Sequence, residues 1–188
     1  MTATPTATAD SALAELLLSR IRDVPDYPQP GVVFKDIAPL LADAAAFAAL
    51  VGALAARATA LGAVKVVGLE ARGFVLAAPA AHAAGVGFVP IRKQGKLPGA
   101  VHVRAYDLEY GSAVLEVQQD AFTPGERVLV VDDVLATGGT VAASLDLLRQ
   151  AGAELAGVVV LMELGFLGAR GRLTEHLAGA PLEALITL

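Results

Sequence analysis

What the 188-residue sequence lacks excludes several kinds of site. It contains no cysteine, so disulfides, cysteine zinc sites and a thiol nucleophile are excluded. This absence fits a reducing compartment, and the cytoplasm is therefore the expected location. The sequence also lacks an excess of basic residues, because its 14 lysines and arginines face 19 aspartates and glutamates. Without a basic field we expect no nucleic-acid binding, and a small-molecule partner instead.

No long uninterrupted apolar run is present either, although 55% of the residues are hydrophobic. The longest uncharged run, residues 74–91, contains Pro79, His82 and Pro90 and fits a buried helix and strand better than a membrane span. The first ten residues lack the positive region and the following apolar stretch of a signal peptide. We therefore expect no membrane partner, a flexible tail over residues 1–10 and a single domain over residues 11–188.

Segments with helical and strand periodicity alternate along the chain. Apolar spacing predicts helices over residues 11–21 (capped by Asp10 or Ser11), 43–61, 74–84 and 139–150. Strands are predicted over residues 64–69, 87–91, 112–118, 127–131 and 157–162. The strand 127–131 has no polar alternation, which is typical of parallel strands buried on both faces. This order predicts an α/β fold with a mostly parallel sheet.

Two segments have no apolar period. Residues 27–31 (Tyr-Pro-Gln-Pro-Gly) predict a turn. Residues 92–108 combine clustered positive charge with glycines and a proline, and are predicted to form a loop.

The stretch VLVVDDVLATGGT, residues 128–140, carries the strongest functional signal. Ligands of open parallel sheets bind beyond the carboxyl ends of the strands, where Asp132 and Asp133 are predicted to lie. The following loop enters a helix, so its backbone N–H groups and the helix dipole suit a phosphate. The carboxylates would repel that phosphate and must serve hydroxyl donors, a metal ion or a developing positive charge. An isolated Asp pair more often only caps a turn. Here a strand, the Asp pair, the Thr-Gly-Gly-Thr loop and a helix follow one another directly, and this combination favours a site for a phosphorylated sugar.

This stretch resembles the phosphoribosyl-pyrophosphate signature of the type I phosphoribosyltransferases. PGVVFKDIAPLL, GLEARGF, IRKQGKLPG and LEYG resemble, in the same order, the adenine phosphoribosyltransferase family. The resemblance implies the type I fold, in which helices flank a mostly parallel central sheet with a small hood and a flexible lid loop. It also implies transfer of the 5-phosphoribosyl group from phosphoribosyl pyrophosphate to adenine, which gives AMP and pyrophosphate.

The resemblance also implies roles for residues that would bind phosphoribosyl pyrophosphate. Asp132 and Asp133 would hold the ribose hydroxyls. The 5-phosphate would lie on Ala136, Thr137, Gly138, Gly139 and Thr140. The pyrophosphate would meet Glu70, Ala71 and Arg72, together with the lid cations Arg92, Lys93 and Lys96. The family often has Asp-Ser where this chain has Glu70-Ala71, and the peptide between these two positions is commonly cis in the family.

For adenine, the resemblance implies that the backbone of Val33, Phe34 and Lys35 meets the base edge and that the Phe34 ring stacks on it. Phe34 as an ordinary core residue is the alternative. Leu167 would cover the other face of the base. Glu109 would return from the lid to the reacting centre and join Asp132, Asp133 and Arg72 as the catalytic group.

Magnesium is the implied cofactor, held mainly through the substrate with no direct protein ligand predicted, and the implied assembly is a homodimer. Two alternatives stay open: the same reaction on another purine base, and a non-catalytic regulator that senses phosphoribosyl pyrophosphate. His82, His102 and His176 are scattered without metal-ligand spacing, so we expect none of them to be catalytic.

Overall fold

A computed structural model of the protein describes residues 6–107 and 112–188. It divides into two compact units, Met1–Ala53 and Leu54–Leu188. The single domain and the flexible tail stay predictions. Within the described ranges, no helix is both long enough and apolar enough to cross a membrane.

The first unit contains a helix, a β-hairpin and the start of a long helix. Its elements are α1 (Thr6–Leu18), β1 (Arg22–Pro25), β2 (Val33–Asp36), α2 (Ala38–Ala42) and the beginning of α3 (Ala44–Ala60). The predicted turn is confirmed: it joins β1 to β2, with a cis Tyr27-Pro28 peptide and Gly31 at φ +86°. The ion pairs Arg22–Asp36 and Lys35–Asp23 cross this hairpin.

The predicted bounds of α3 are confirmed to within a residue, and those of α1 are not. Asp43 Oδ1 accepts hydrogen bonds from the backbone N–H groups of Ala45 and Ala46, which begins α3. A cap at residue 10 or 11 was the wrong prediction for α1, since the helix already begins at Thr6. It ends at Leu18, three residues before the predicted end, where the Ser19 hydroxyl donates to the Leu16 carbonyl at 2.7 Å.

The second unit is built on a seven-stranded sheet with the order β5-β6-β4-β3-β7-β8-β9. The strands are β3 (Lys65–Leu69), β4 (Gly87–Lys93), β5 (Val101–Asp107), β6 (Ser112–Gln118), β7 (Arg127–Leu135), β8 (Glu154–Glu163) and β9 (Leu182–Thr187). Its helices are α4 (Arg72–Ala84), α5 (Gly139–Gln150) and α6 (Ala169–Leu177), with a 3-10 turn at Gly165–Leu167. β4, β3, β7, β8 and β9 are parallel, while β6 and β5 are antiparallel, which confirms the α/β fold and its mostly parallel sheet.

The interpretation of residues 92–108 as one loop was wrong. Arg92 and Lys93 end β4, and Val101–Asp107 forms the edge strand β5, which pairs with β6 along its whole length. Within that segment, residues 94–100 lie outside strands. β5 does alternate Val101, Val103 and Ala105 with His102, Arg104 and Tyr106, but this short period was overlooked beside the glycines, proline and cations that precede it, and the strand is held by hydrogen bonds to β6.

β7 is longer than predicted, and this changes the position of the acidic pair. Its pairing with β3 ends at Val131, but its pairing with β8 continues to Leu135. Asp132 and Asp133 therefore lie inside the strand, at the point where it loses one of its two neighbours, and not after its end. The buried residues Val128 to Val131 before them confirm the prediction of a strand covered on both faces.

Candidate active site

Four neighbouring parallel strands, β4, β3, β7 and β8, end at one edge of the sheet. Residues predicted to bind substrate lie at or directly after the end of each strand. Residues 70–73 follow β3, and Arg92 and Lys93 end β4. The acidic pair and residues 136–140 lie at the end of β7, and Leu167 follows β8. The carboxyl ends of parallel strands are where such folds bind ligands, so the sheet brings these four segments to one side.

In the acidic pair, Asp133 is buried and Asp132 is half-buried, and both carboxylates have few hydrogen-bond donors. Asp132 Oδ1 accepts a hydrogen bond from the backbone N–H of Asp133 at 2.9 Å. Asp133 is 5% exposed, and among the described residues no donor makes a hydrogen bond to its Oδ2. The Arg72 Nη2 lies 2.9 Å from that oxygen, close enough for an ion pair but without hydrogen-bond geometry. This oxygen can therefore still accept a donor from a ligand.

Burial raises the pKa of both carboxyl groups. The pKa of Asp132 is well above its usual range because of burial first and the neighbouring Asp133 charge second. For Asp133, burial raises the pKa and the Arg72 guanidinium opposes the rise. Neighbouring carboxyl groups with raised pKa values and few partners are frequent at binding sites, because hydroxyl donors or a cation would stabilise the ionised form.

Arg72 is positioned by a close approach of α4 to β7. A Cβ on Gly73 would lie 2.8 Å from Asp132 Oδ1 and 3.0 Å from the Val131 carbonyl oxygen, so only glycine fits there. The preceding Glu70-Ala71 peptide is cis, as it commonly is in the family that the sequence resembles. No side chain caps the first turn of α4. Its N–H groups and Arg72 together present positive potential beside the acidic pair.

The segment 136–140 forms a tight loop into α5. Gly138 has φ +88° and begins the helix, and no side chain caps it. Together with Asp132 and Val134, this loop lines a small cavity of about 80 Å³. The structure therefore places one carboxylate of the acidic pair and the predicted phosphate loop on one cavity.

Glu70 contacts all three residues predicted to supply the lid cations. Its side chain is 7% exposed and forms ion pairs with Lys96 and Arg92, the latter at 3.3 Å, and its Oε2 accepts the backbone N–H of Lys93 at 3.0 Å. Burial raises the pKa of Glu70, but Lys96 and the N–H of Lys93 outweigh burial and leave the pKa below its usual value. Glu70 is thus ionised and neutralises cations assigned by the resemblance to pyrophosphate.

The remaining predicted residues are placed as follows. Val33, Phe34 and Lys35 lie in β2 of the first unit. Phe34 is half-buried and packs edge-on against Tyr27, with ring centroids 5.1 Å apart, so it is not a fully buried core residue. Leu167 is half-buried in the 3-10 turn beside Phe166, which is 78% exposed. Glu109 lies outside the described residues.

Two side chains that contact the phosphate loop were missed. The Tyr106 hydroxyl lies 3.2 Å from Thr140 Oγ1, and Arg172 donates to the Thr137 carbonyl at 3.2 Å. Tyr106 belongs to the edge strand taken for a loop, and Arg172 belongs to α6, which was not predicted. Neither side chain is marked by a motif, so a correct strand and helix assignment was the only signal that could have found them.

A larger cavity lies elsewhere in the second unit. It measures about 470 Å³ and opens at the amino-terminal ends of β7 and β8, beside Arg127 and Glu154. Those two residues form an ion pair with each other, and Arg149 on its wall pairs with Asp146 at 3.1 Å. Its charges are compensated and it faces away from the carboxyl ends of the strands, so the small cavity at the acidic pair is the better candidate.

Comparison with known proteins gives consistent results. A family model described as a phosphoribosyl transferase domain matches residues 41–176. The adenine phosphoribosyltransferase of Streptomyces coelicolor is 69% identical over 181 residues, which are 96% of this chain and 100% of that protein. The crystal structure of adenine phosphoribosyltransferase from Rhodothermus marinus is 43% identical, with a TM-score of 0.87 over 95% of this chain and 99% of its own. The Saccharomyces cerevisiae adenine phosphoribosyltransferase, complexed with an imino-altritol bisphosphate and adenine, is 37% identical, with a TM-score of 0.86 over 93% of this chain and 99% of its own.

Proposed function

This chain belongs to the adenine phosphoribosyltransferases of the phosphoribosyl transferase family, and we infer that it transfers the 5-phosphoribosyl group of phosphoribosyl pyrophosphate to adenine. The products are AMP and pyrophosphate, so the enzyme acts in purine salvage. One observation carries the assignment to this site: Asp132 lines one cavity together with a loop suited to phosphate, and the neighbouring Asp133 has a buried oxygen that accepts no hydrogen bond from the described residues.

A ribose phosphate has a phosphate at one end and hydroxyl groups at the other, which explains why a phosphate loop and an acidic pair lie together. In our proposal the 5-phosphate lies on the backbone of residues 136–140, where uncapped N–H groups of α5 favour an anion. Asp132 and Asp133 accept the ribose hydroxyls. Each hydroxyl donates a hydrogen bond to a carboxylate that has few partners, which favours the ionised form of the pair.

Those carboxylates then act on the reacting carbon. As the bond from C1 of the ribose to pyrophosphate breaks, positive charge develops at C1, and N9 of adenine forms the new bond and loses its proton to the departing pyrophosphate. Negative charge on Asp132 and Asp133 stabilises the cation-like transition state. Because Asp133 is buried and Asp132 is half-buried, this interaction is screened less than it would be in water.

Cations would stabilise the negative charge of the departing pyrophosphate. Arg72, Arg92, Lys93 and Lys96 are the proposed pyrophosphate ligands, with the backbone of Glu70 and Ala71. Arg72 already lies beside Asp133, so it can contact a group bound next to the acidic pair. Glu109 is proposed as a further catalytic residue on the resemblance alone.

Magnesium is the proposed cofactor. The residues fit such an ion indirectly, since the unused oxygen of Asp133 and its neighbour Asp132 can accept hydroxyls of a metal-bound ribose. Asp132 and Asp133 would hold the ion through those hydroxyls, and the substrate would supply most of its ligands. When bound, magnesium neutralises charge on the pyrophosphate.

For adenine, we propose that a backbone carbonyl of residues 33–35 accepts the 6-amino hydrogen and that a backbone N–H of the same segment donates to the adjacent ring nitrogen. Val33, Phe34 and Lys35 supply these contacts and the stacking ring, and Leu167 covers the base. A 6-oxopurine reverses both hydrogen bonds. At roughly 1–3 kcal/mol for each, the discrimination is on the order of a thousandfold.

We further propose a cytoplasmic homodimer. The family resemblance supports the dimer, and the absence of cysteine supports a reducing compartment. Light scattering on the purified chain would measure its mass in solution, and a monomeric mass would contradict the dimer.

The activity is tested by incubating the protein with phosphoribosyl pyrophosphate, magnesium and one of adenine, hypoxanthine or guanine. Mass spectrometry then identifies any nucleotide. We expect AMP, with turnover of the oxopurines lower by about a thousandfold. Comparable turnover of hypoxanthine would indicate another purine specificity, and binding of phosphoribosyl pyrophosphate without any nucleotide product would indicate a sensor.

A further inference from the structure

Helix α6 contacts the two segments that we propose to hold opposite ends of the nucleotide. It begins at Ala169, directly after the 3-10 turn that carries Leu167. Its Ala169 and Leu173 pack against the phosphate loop: a Cβ on Gly138 would lie 3.3 Å from the Ala169 Cβ and 3.4 Å from the Leu173 Cγ. A movement of either segment is therefore transmitted to the same helix.

Arg172 makes the polar part of this connection. Its Nη1 donates to the Thr137 carbonyl at 3.2 Å, and its Nη2 donates to the Leu167 carbonyl at 3.4 Å. Both bonds come from one planar guanidinium, whose donors have a fixed spacing. The two carbonyls, and the loops that carry them, are thus held at a defined separation.

A second arginine anchors the start of the helix independently. Arg170 Nε lies 3.0 and 2.9 Å from the two carboxylate oxygens of Glu163, which ends β8 and is 4% exposed. Arg170 also donates to the Leu182 carbonyl at 2.8 Å. Because the ion pair of Arg170 with the buried Glu163 fixes α6 to the sheet, removal of the Arg172 side chain is expected to leave the helix in place.

We propose that Arg172 is a positioning residue that couples the phosphate loop to the turn carrying Leu167, so that a bound 5-phosphate raises the affinity for adenine. This inference rests on the proposed function. A phosphate on the N–H groups of residues 136–140 fixes Thr137, and through Arg172 it also fixes Leu167. Adenine then binds to a turn that is already ordered, and the coupling is reciprocal.

Calorimetry on the full-length chain tests the coupling, with adenine as the titrant and ribose 5-phosphate as the second ligand. For the unmodified protein, we expect saturating ribose 5-phosphate to lower the adenine Kd about tenfold. For Arg172→Gln, the effect falls to about twofold, while the adenine Kd without ribose 5-phosphate is unchanged. A role in folding alone would shift both Kd values together.

Two further variants separate bridging from charge. Arg172→Lys retains the charge but lacks the forked donors, so we expect it to behave like the glutamine variant. Arg149→Gln is the matched control, since Arg149 is also an exposed arginine that donates to a carbonyl, that of His176, and its coupling should equal that of the unmodified protein. If the glutamine variant fails to fold, the lysine variant carries the test.

Undiminished coupling in the glutamine variant, full coupling in the lysine variant, or no coupling in the unmodified protein would overturn the proposal. The proposed function is judged separately, by AMP formation in the unmodified protein. If AMP forms and the coupling is equal in all variants, only the proposed role of Arg172 is rejected. If no AMP forms, the proposed function and the role of Arg172 are both rejected.

Discussion

The acidic pair and Glu70 lie at the same edge of the sheet, and their pKa values are shifted in opposite directions. Burial and the charge of Asp133 raise the pKa of Asp132. Glu70 is also buried, but Lys96 and the backbone N–H of Lys93 lower its pKa despite that burial. Burial raises the pKa of both groups, and the net shift is reversed at Glu70, where cations and a backbone N–H contact the carboxylate.

The difference separates two functions. The acidic pair retains an oxygen that no described donor satisfies, so it can gain hydrogen bonds from a ligand. Glu70 already has its partners and uses them to hold the lid cations. Substitutions in the pair should therefore affect chemistry most, and substitutions at Glu70 should affect binding and stability.

The largest effect is expected from Asp133→Asn, alone or with Asp132→Asn. Loss of the negative charge removes transition-state stabilisation, and kcat for AMP formation should fall about 100- to 1000-fold while the fold is retained. Steady-state kinetics with circular dichroism would measure this. Asp120→Asn, at an exposed turn, is the control and should be fully active. Full activity of the double variant would falsify the role of the pair.

A smaller effect concerns the segment that Glu70 holds. Residues 94–100 lie outside strands, whereas β5 is paired with β6 along its length. We expect backbone amides of this segment to exchange hydrogen faster than those of β6, and to slow about tenfold when phosphoribosyl pyrophosphate and magnesium bind. Equal exchange with and without substrate would contradict a lid.

Glu70→Gln should change substrate affinity by less. Removal of this charge frees Lys96 and Arg92 for the pyrophosphate, so the KM for phosphoribosyl pyrophosphate should fall roughly three- to fivefold with little change in kcat. Glu126→Gln is the matched control, because Lys65 lowers the pKa of Glu126 in the same way. An increased KM in the Glu70 variant would show that its carboxylate positions the cations and does not compete for them.

The smallest effects are opposite shifts in thermal stability. Asp132→Asn relieves a buried charge and should raise the Tm at pH 7, whereas Glu70→Gln removes a stabilising one and should lower it, each by about 2–4 °C. A lowered pKa stabilises the folded state above the usual value of 4.5, so the deficit of the Glu70 variant should vanish as the pH falls below that value. The raised pKa of Asp132 acts oppositely, and the advantage of its variant should shrink as the pH falls through that raised pKa towards the usual value of 3.8. Calorimetric scans between pH 4 and 8 measure both, and shifts of the same sign would contradict the comparison.

Periodicity was sufficient to predict the strands and helices of the sheet centre. Residues 127–131 and 139–150 have strong apolar patterns because both segments are buried in the second unit. It failed at β5, whose short alternation of apolar and polar residues was overlooked within a charged segment, and at α6, which buries only Ala169 and Leu173. The end of β7 was misplaced because a strand can lose one neighbour and keep the other.

For the site, residue types and order were sufficient to predict which segments meet, since parallel strands bring their carboxyl ends together. The pattern of partners was not predictable. Nothing in the sequence shows that Glu70 reaches Lys96, or that Asp133 retains an unused oxygen, because both depend on side-chain contacts between distant segments.

The most direct test of this account is a carbon-13 NMR titration of the side-chain carboxyl groups. Without ligand, Asp132 and Asp133 should titrate above the usual aspartate value of 3.8, and Glu70 below the usual glutamate value of 4.5. Ribose 5-phosphate should lower the pKa values of the acidic pair, because its hydroxyls donate hydrogen bonds to the carboxylates, and should leave Glu70 unchanged. Ordinary pKa values for the pair that do not respond to ribose 5-phosphate would contradict the account.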